Sequence, residues 1–488
     1  MLRLSREAAP RPMSSLLHRF SAKLFQPVDA ASLGMFRILF GALMAWQAYY
    51  YLARDRFVDY YLEPGFRFSY AFFEWLRPLP EPYFRALLIL MVAAGIGIAV
   101  GILYRTCVLV FLLGFSYVFL LDKAYYNNHY YAIILLCLLM LFTSATRWGS
   151  LAQRLRPRAP FVPNWNLFIL RAQFFIIYFY GGLAKLNADW LQGEPMRRWL
   201  LKAADLPLVG PMMTTDWAPY FFSWGGLVFD LSIGFLLWWR KTRFAAFLVV
   251  LFFNLTNSVL FQIGVFPFLM IAAATLFDEP DWPRKLFGQK SPPPTEVAAP
   301  AQSRERALTL ALIGAYFAVQ ILVPFRHFLI PGEVSWTEEG HLFSWHMKLR
   351  DKQGRIKIWV TDPAAQRTFQ VDPLLELNEF QYGKMRQRPQ FIWQYVQHVK
   401  RELAGQGIQN PIIRVDAWVT LNSRPYQQLI DPEVDLASAP CSFFSADPWI
   451  IPLDPDNRPG TLPEDPPTAE KKGLRGSRRP LETESAGY

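Results

Sequence analysis

The chain has 488 residues, of which 52% are hydrophobic and only 18% charged, with 16% aromatic and 17 Trp. So apolar a chain is neither disordered nor collagen-like. Its formal net charge of +11 lies in basic stretches between apolar runs, where a membrane protein keeps it, which argues against nucleic-acid binding.

A helix needs about 20 mostly apolar residues to cross a bilayer. In chain order the candidates are residues 38–53, 86–104, 106–121, 130–146, 166–184 across Arg171, 218–239 around Asp230, 244–277 and 307–325. The 244–277 run has room for two short spans with a polar break near Gln262, so eight or nine spans are expected. Arg3, Arg6, Arg11, Arg19 and Lys23 place the N-terminus inside. Arg105, Arg147, Arg154, Arg240 and Arg284 then fall inside as well, and nine crossings carry everything after Phe325 outside. No cleavable signal peptide is expected before the first span.

The segment 291–303 reads as an inside linker. Beyond it, residues 343–349 and 356–360 alternate around Asp351-Lys-Gln-Gly354, which predicts a hairpin. Residues 389–403 have helical spacing, and 412–421 return to strand. The expected fold is an α-helical multi-pass membrane protein followed by a small β-rich extracytoplasmic domain. Its divisions are a basic segment at 1–26, a transmembrane domain at 27–325, the β-rich domain at 326–454 and a disordered tail at 455–488. Cys107, Cys137 and Cys441, with no C-x-x-C, exclude a disulfide framework and a four-cysteine zinc site.

An ionisable group inside a span is a functional candidate by default. Lys185 sits at the outer end of the fifth span and reads either as a snorkelling lysine or as a buried amine acting as general base. His129 opens the fourth span beside Asn127 and Asn128, which are placed to orient its ring; a plain interfacial histidine is the alternative. Asp230 must pair or stay protonated, and a purely structural role is the alternative. Asn254, Thr256, Asn257, Ser258 and Gln262 read most simply as helix–helix hydrogen bonding. His327, His341 and His346 lack the i, i+4 spacing of a helical zinc pair, so no metal site is expected.

Taken together these residues resemble the vitamin K-dependent γ-glutamyl carboxylases and their bacterial homologues, which share the HTTM domain. The matching stretches are Pro27-Val-Asp-Ala with Phe36-Arg37, Leu121-Asp-Lys with Asn127-Asn-His129, Trp165-Asn166 with Leu170-Arg171, and Gly182-Leu-Ala-Lys-Leu-Asn-Ala-Asp-Trp-Leu-Gln-Gly193. Phe229-Asp-Leu-Ser-Ile-Gly-Phe, Asn257-Ser with Phe261-Gln-Ile-Gly-Val-Phe, His327-Phe-Leu, Ser344-Trp345 and Ile430-Asp-Pro-Glu-Val-Asp complete the ordered set. The resemblance implies a lyase, a peptidyl-glutamate 4-carboxylase, that couples epoxidation of vitamin K hydroquinone by O2 to carboxylation of peptide glutamate with CO2. Lys185 matches the base that deprotonates the hydroquinone, and His129 the assisting histidine. Phe266, Met270, Met347 and Asn254 fall at the quinone. Trp336, His341, Ser344 and Lys352 fall on the glutamate side, and His327 has no assigned role. The implied cofactors are phylloquinol or menaquinol with O2 and CO2, and no metal. The implied partners are a glutamate-containing peptide or protein and membrane lipid, with no nucleic acid.

The chain departs from animal enzymes at Ala184-Lys185, where they have Lys-Lys, at Asn254 and His341, where they have histidine and tyrosine, and at Lys352 in place of arginine. It lacks their long C-terminal region, which puts propeptide docking in question and suits a bacterial inner-membrane homologue. Two alternatives stay open: a quinol epoxidase or oxidase of the same fold that carboxylates nothing, and a non-enzymatic transporter or structural protein.

Overall fold

The computed structural model describes residues 12–207, 209–261, 263–291, 303–442 and 445–459. Arg3, Arg6, Arg11, Gln262, the interior of the 291–303 linker and most of the 455–488 tail lie outside the described residues.

Helix α1 (Pro12–Phe25) precedes α2 (Ala31–Ala53), α3 (Glu81–Val100), α4 (Tyr104–Leu121), α5 (Asn128–Phe142) and α6 (Trp165–Ala184). Then follow α7 (Ala218–Trp238), α8 (Arg243–Phe261), α9 (Phe266–Ala274) and α10 (Ser303–Phe325). Among the described residues seven helices are long and apolar enough to cross a membrane, and two apolar helices, Asn128–Phe142 and Phe266–Phe277, are shorter. Every segment expected to span therefore lies on a helix, and the 244–277 run divides into α8 and α9.

Small residues let the helices close up, as they do where no hydrophobic effect draws helices together. A Cβ on Gly41 of α2 would overlap the Ala99 backbone, and one on Gly95 of α3 would overlap the Ala45 backbone. Arg37 of α2 is fully buried and satisfied by backbone: it donates to Ile98 O at 2.7 Å, Gly149 O at 2.7 Å and Ala145 O at 3.1 Å, and also to Ala99 O. It thereby caps the last carbonyls of α3, which have no partner within their helix. Strands β1 (Pro27–Asp29) and β2 (Phe161–Pro163) pair antiparallel and tie the start of α2 to the start of α6.

After α10 the chain forms a four-stranded antiparallel sheet in the order β4-β3-β5-β6, from β3 (Lys352–Asp362), β4 (Arg367–Val371), β5 (Ile412–Leu421) and β6 (Gln427–Gln428). Ile358 and Val360 of β3, with Ile413, Val415, Ala417 and Val419 of β5, bury one face. Helix α11 (Pro389–Gly405) contributes Phe391, Tyr395, Val399 and Leu403 to this core. The period-2 side-chain alternation of β3 puts Lys352, its first residue, on the same face as Ile358 and Val360.

The hairpin is not the expected one. Residues 343–349 form no strand: Phe343, Trp345 and Lys348 have φ of 63°, 56° and 52°, a region closed to a regular strand. Asp351-Gly354 is not a turn but runs into β3, whose hairpin partner is β4. The apolar alternation at Phe343, Trp345 and Met347 instead reflects side chains fitted against the helices, with the Trp345 ring 5.1 Å from that of Tyr131. Polar contacts fix the sheet domain to the bundle, Gln381 Nε2 donating to Asp122 Oδ2 at 2.6 Å and Asn128 Nδ2 to His346 O at 3.0 Å.

Candidate active site

Lys185 is the C-terminal cap of α6, directly after Gly181-Gly182-Leu-Ala. A Cβ on Gly182 would press within 2.9 Å of the Leu231 backbone, so the missing side chain lets α7 close on α6. That approach brings Asp230 of α7 to the lysine. Lys185 Nζ lies 2.5 Å from Asp230 Oδ2 and donates to Gly181 O at 3.2 Å, with the Trp190 ring centroid 5.2 Å away. Both residues are buried. Opposite charges this deep stabilise each other, and removing one strands the other. The carboxylate in α7 thus finds its partner in the candidate base.

His129, near the start of α5, has its ring 5.5 Å from Phe266 of α9 and 4.8 Å edge-on to Tyr130. Asn128 does not orient it: its side chain accepts from Tyr126 Oη at 2.8 Å and donates to His346 O, because the 343–349 segment packs over this helix start. Asn254 of α8 donates to Tyr178 Oη at 3.0 Å and Val250 O at 2.9 Å.

These groups open into one cavity of about 1260 Å³. From the helices it takes Lys185, Asp230, His129, Asn254 and Phe266. From the chain after α10 it takes Met347, His341 and Lys352. Four expected residues stand away from it. Met270, one turn along α9 from Phe266, is packed in the helical core. Trp336 is buried behind the wall, where its carbonyl accepts from Lys352 Nζ at 2.7 Å and its Nε1 donates to Ile451 O at 2.7 Å. Ser344 is buried and donates to Gly340 O at 2.7 Å. His327 Nδ1 lies 2.7 Å from Pro324 O. The rings of His327 and His346 are 4.5 Å apart and those of His346 and His341 5.8 Å apart, a row rather than a chelate. Among the described residues no group of three or more His, Cys, Asp or Glu is arranged to hold a metal ion.

The part of the wall outside the spans is cationic. Lys348, Arg350, Lys352, Lys384 and Arg388 face the cavity with Glu338. Arg350 grips Glu338 through Nε at 2.7 Å and Nη2 at 2.6 Å, while Lys352 Nζ and Arg388 Nε stand 3.4 and 3.8 Å from the same carboxylate. Burial alone would raise the Glu338 carboxyl, but Arg350, Lys352 and Arg388 together outweigh it and hold it well below the usual carboxylate range. Burial, partly offset by Glu338, brings Lys352 down to about 8, and burial followed by repulsion from Arg388 brings Lys384 down to about 7. His346, buried with no hydrogen-bond partner for either ring nitrogen, is pushed down to about 3 by that burial and by His327. It presents a neutral imidazole to the cavity.

Glu338 is the hub of this cluster and had no signal of its own in the sequence. Glu338→Gln leaves Arg350, Lys352 and Arg388 facing one another, and a buried pair broken on one side costs about 3 kcal/mol or more. The expected result is a lower thermal midpoint in detergent; an unchanged midpoint would mean that the cations are relieved by solvent.

The chain matches the HTTM domain family over residues 25–282 and the family described as vitamin K-dependent gamma-carboxylase, lumenal domain, over residues 305–456. No solved structure matches it. With the multi-helix bundle under the first match and the small sheet domain under the second, the chain belongs to the vitamin K-dependent gamma-carboxylase family.

Proposed function

We propose that this protein is an integral membrane carboxylase in which Lys185 takes the hydroxyl proton of a reduced vitamin K, His129 assists, and the cationic wall after α10 holds the glutamate side chain to be carboxylated. The observation that carries the reading is the continuity of one cavity from the buried Lys185–Asp230 pair to that wall. The family implies the vitamin K cofactor, a glutamate-containing substrate and a membrane setting.

The residues present fit a reduced quinone. Phe253, Phe266, Phe261 and Met347 supply an apolar wall for a flat ring and its tail, and the His129 ring makes no side-chain hydrogen bond among the described residues. When bound, reduced vitamin K supplies with O2 the strong base that removes a glutamate γ-proton, leaving a carbanion for CO2.

The chain's own part is positioning and proton handling. A lysine acts as a base only as the free amine. The base form of the pair is therefore the neutral amine beside the Asp230 carboxylate, and on taking the hydroxyl proton Lys185 becomes the ammonium that Asp230 pairs. Gly181 O and the Trp190 face keep Nζ aimed. The imidazole of His129, packed beside Phe266, is the polar group that the start of α5 offers to a bound ring. Arg350 is spent on Glu338 in two short hydrogen bonds, whereas Lys352 and Arg388 reach that carboxylate only at 3.4 and 3.8 Å, so those two and Lys384 are the cations placed for an incoming carboxylate.

In this reading the N-terminus and the basic loops face the cytoplasm and the sheet domain lies outside, with a bacterial inner membrane as the setting. The domain limits 27–325 and 326–454 are the division it uses.

Two outcomes test the glutamate side. Lys352→Ala is expected to raise the peptide KM about tenfold, the loss of one charge-assisted contact, with less effect on quinol epoxidation. Equal losses in both would point to a folding defect. The pH dependence has a definite sign: Lys352 and Lys384 are charged below about 8 and about 7 and neutral above, while a substrate glutamate is ionised throughout. Peptide affinity should therefore fall as pH rises from 6 to 9, by about fivefold for each charge lost. An affinity flat across that range would remove these lysines from substrate binding.

A further inference from the structure

A second cavity of about 460 Å³ lies at the basic end of the bundle, remote from Lys185. Helix α1 brings Phe20 and Lys23 to it, α6 brings Phe168 and Arg171, and the α7–α8 corner brings Trp238 and Arg243. Three cations line it and no carboxylate does. Nearby Glu279 lies 3.7 Å from Arg243 but is shared with Arg240 at 3.1 Å, and the Asp278 side chain is turned to the Glu279 backbone N–H at 2.7 Å. The cations Lys23, Arg171, Arg240 and Arg243 thus outnumber Asp278 and Glu279.

Two of those cations keep free donors. Lys23 is exposed and its ammonium makes no ion pair among the described residues. Arg171 donates through Nε to Leu276 O at 2.7 Å and through Nη2 to Asp278 O at 3.3 Å, and its Nη1 makes no hydrogen bond among the described residues. Beside the charges runs an aromatic wall: Phe20 and Phe168 are 5.5 Å apart, Phe168 and Trp238 5.9 Å, and Trp238 and Phe277 5.5 Å. An anionic group set against a strip of apolar rings, where helices meet the membrane surface, is the chemistry of a phospholipid head with its chains running along the bundle.

We propose that this cavity binds the phosphodiester headgroup of an anionic phospholipid, with Lys23, Arg171 and Arg243 as its ligands and Phe168 and Trp238 against the chains. Bound there, the lipid bridges α1, α6 and α8. Asn164 Nδ2, which holds Lys23 O at 3.3 Å, keeps α1 in reach of it.

The test is native mass spectrometry of the full chain in detergent with phosphatidylglycerol or phosphatidylcholine of the same chains. The wild type is expected to retain phosphatidylglycerol preferentially. Lys23→Gln removes a side chain on which no described contact depends, and Arg243→Gln removes a second charge. Each is expected to lower phosphatidylglycerol retention about fivefold while leaving phosphatidylcholine unchanged. Inorganic phosphate at the same concentration is expected not to displace the lipid. Equal retention of the two lipids by the wild type would overturn the assignment, as would wild-type preference in both variants. Displacement by inorganic phosphate would make this a phosphate site and overturn the lipid reading.

Discussion

Lys185→Ala should lower quinol epoxidation and glutamate carboxylation together, by about 10² to 10⁴-fold, while the protein still folds. Loss of a positioned general base costs about 10² to 10⁴ in rate, and here the second reaction depends on the first. Folding should survive because Asp230, left alone, can neutralise itself by taking a proton. Lys185→Arg sharpens the test. A guanidinium keeps the charge and can still pair with Asp230, but it does not give up its proton at any working pH. The arginine variant should therefore be stable and equally inactive. Activity in either variant would mean that the proton goes elsewhere, His129 being the next group on the cavity.

Asp230→Asn is the second large effect. The carboxylate accepts from Nζ at 2.5 Å and is the only ion-pair partner described for Lys185. Without it, either a charged amine stays buried and unpaired, at about 3 to 5 kcal/mol, or the lysine stays neutral and loosely aimed. The expected outcome is a marked drop in the thermal midpoint and a fall of about 10²-fold in kcat for epoxide, since small misplacements of a reacting group cost that much. The peptide KM should not move, because the glutamate wall lies on other elements. Wild-type kcat would show that Gly181 O and the Trp190 face suffice to hold Nζ.

The spans, the strand at 412–421 and the helix at 389–403 were legible because each carries its own periodicity. Lys185 and His129 stood out because an ionisable group in an apolar run needs a reason. The same rule, applied to both charges at once, could have paired Lys185 with Asp230: opposite signs in different spans, next to a Gly-Gly that permits close approach. What stayed hidden depends on distant segments. Glu338, Arg350 and Arg388 look like an ordinary solvated scatter until the fold brings both guanidiniums to the one carboxylate. Residues 343–349 alternate without forming a strand, because apolar alternation also arises where an irregular segment inserts every second side chain between helices. Met270, Trp336, Ser344 and His327 fall on the matching stretches or beside them, yet none of them lines this cavity, because each is packed or hydrogen-bonded behind it.

The assignment of this chain as a vitamin K-dependent carboxylase is tested most directly with the purified protein in detergent, given reduced vitamin K, O2, labelled bicarbonate and a glutamate-rich peptide, with epoxide and fixed label followed in the same tube. Both products should form together, and both should be lost in Lys185→Ala. Absence of epoxide with either phylloquinol or menaquinol would contradict the assignment, and epoxide without fixed label would contradict the carboxylation half.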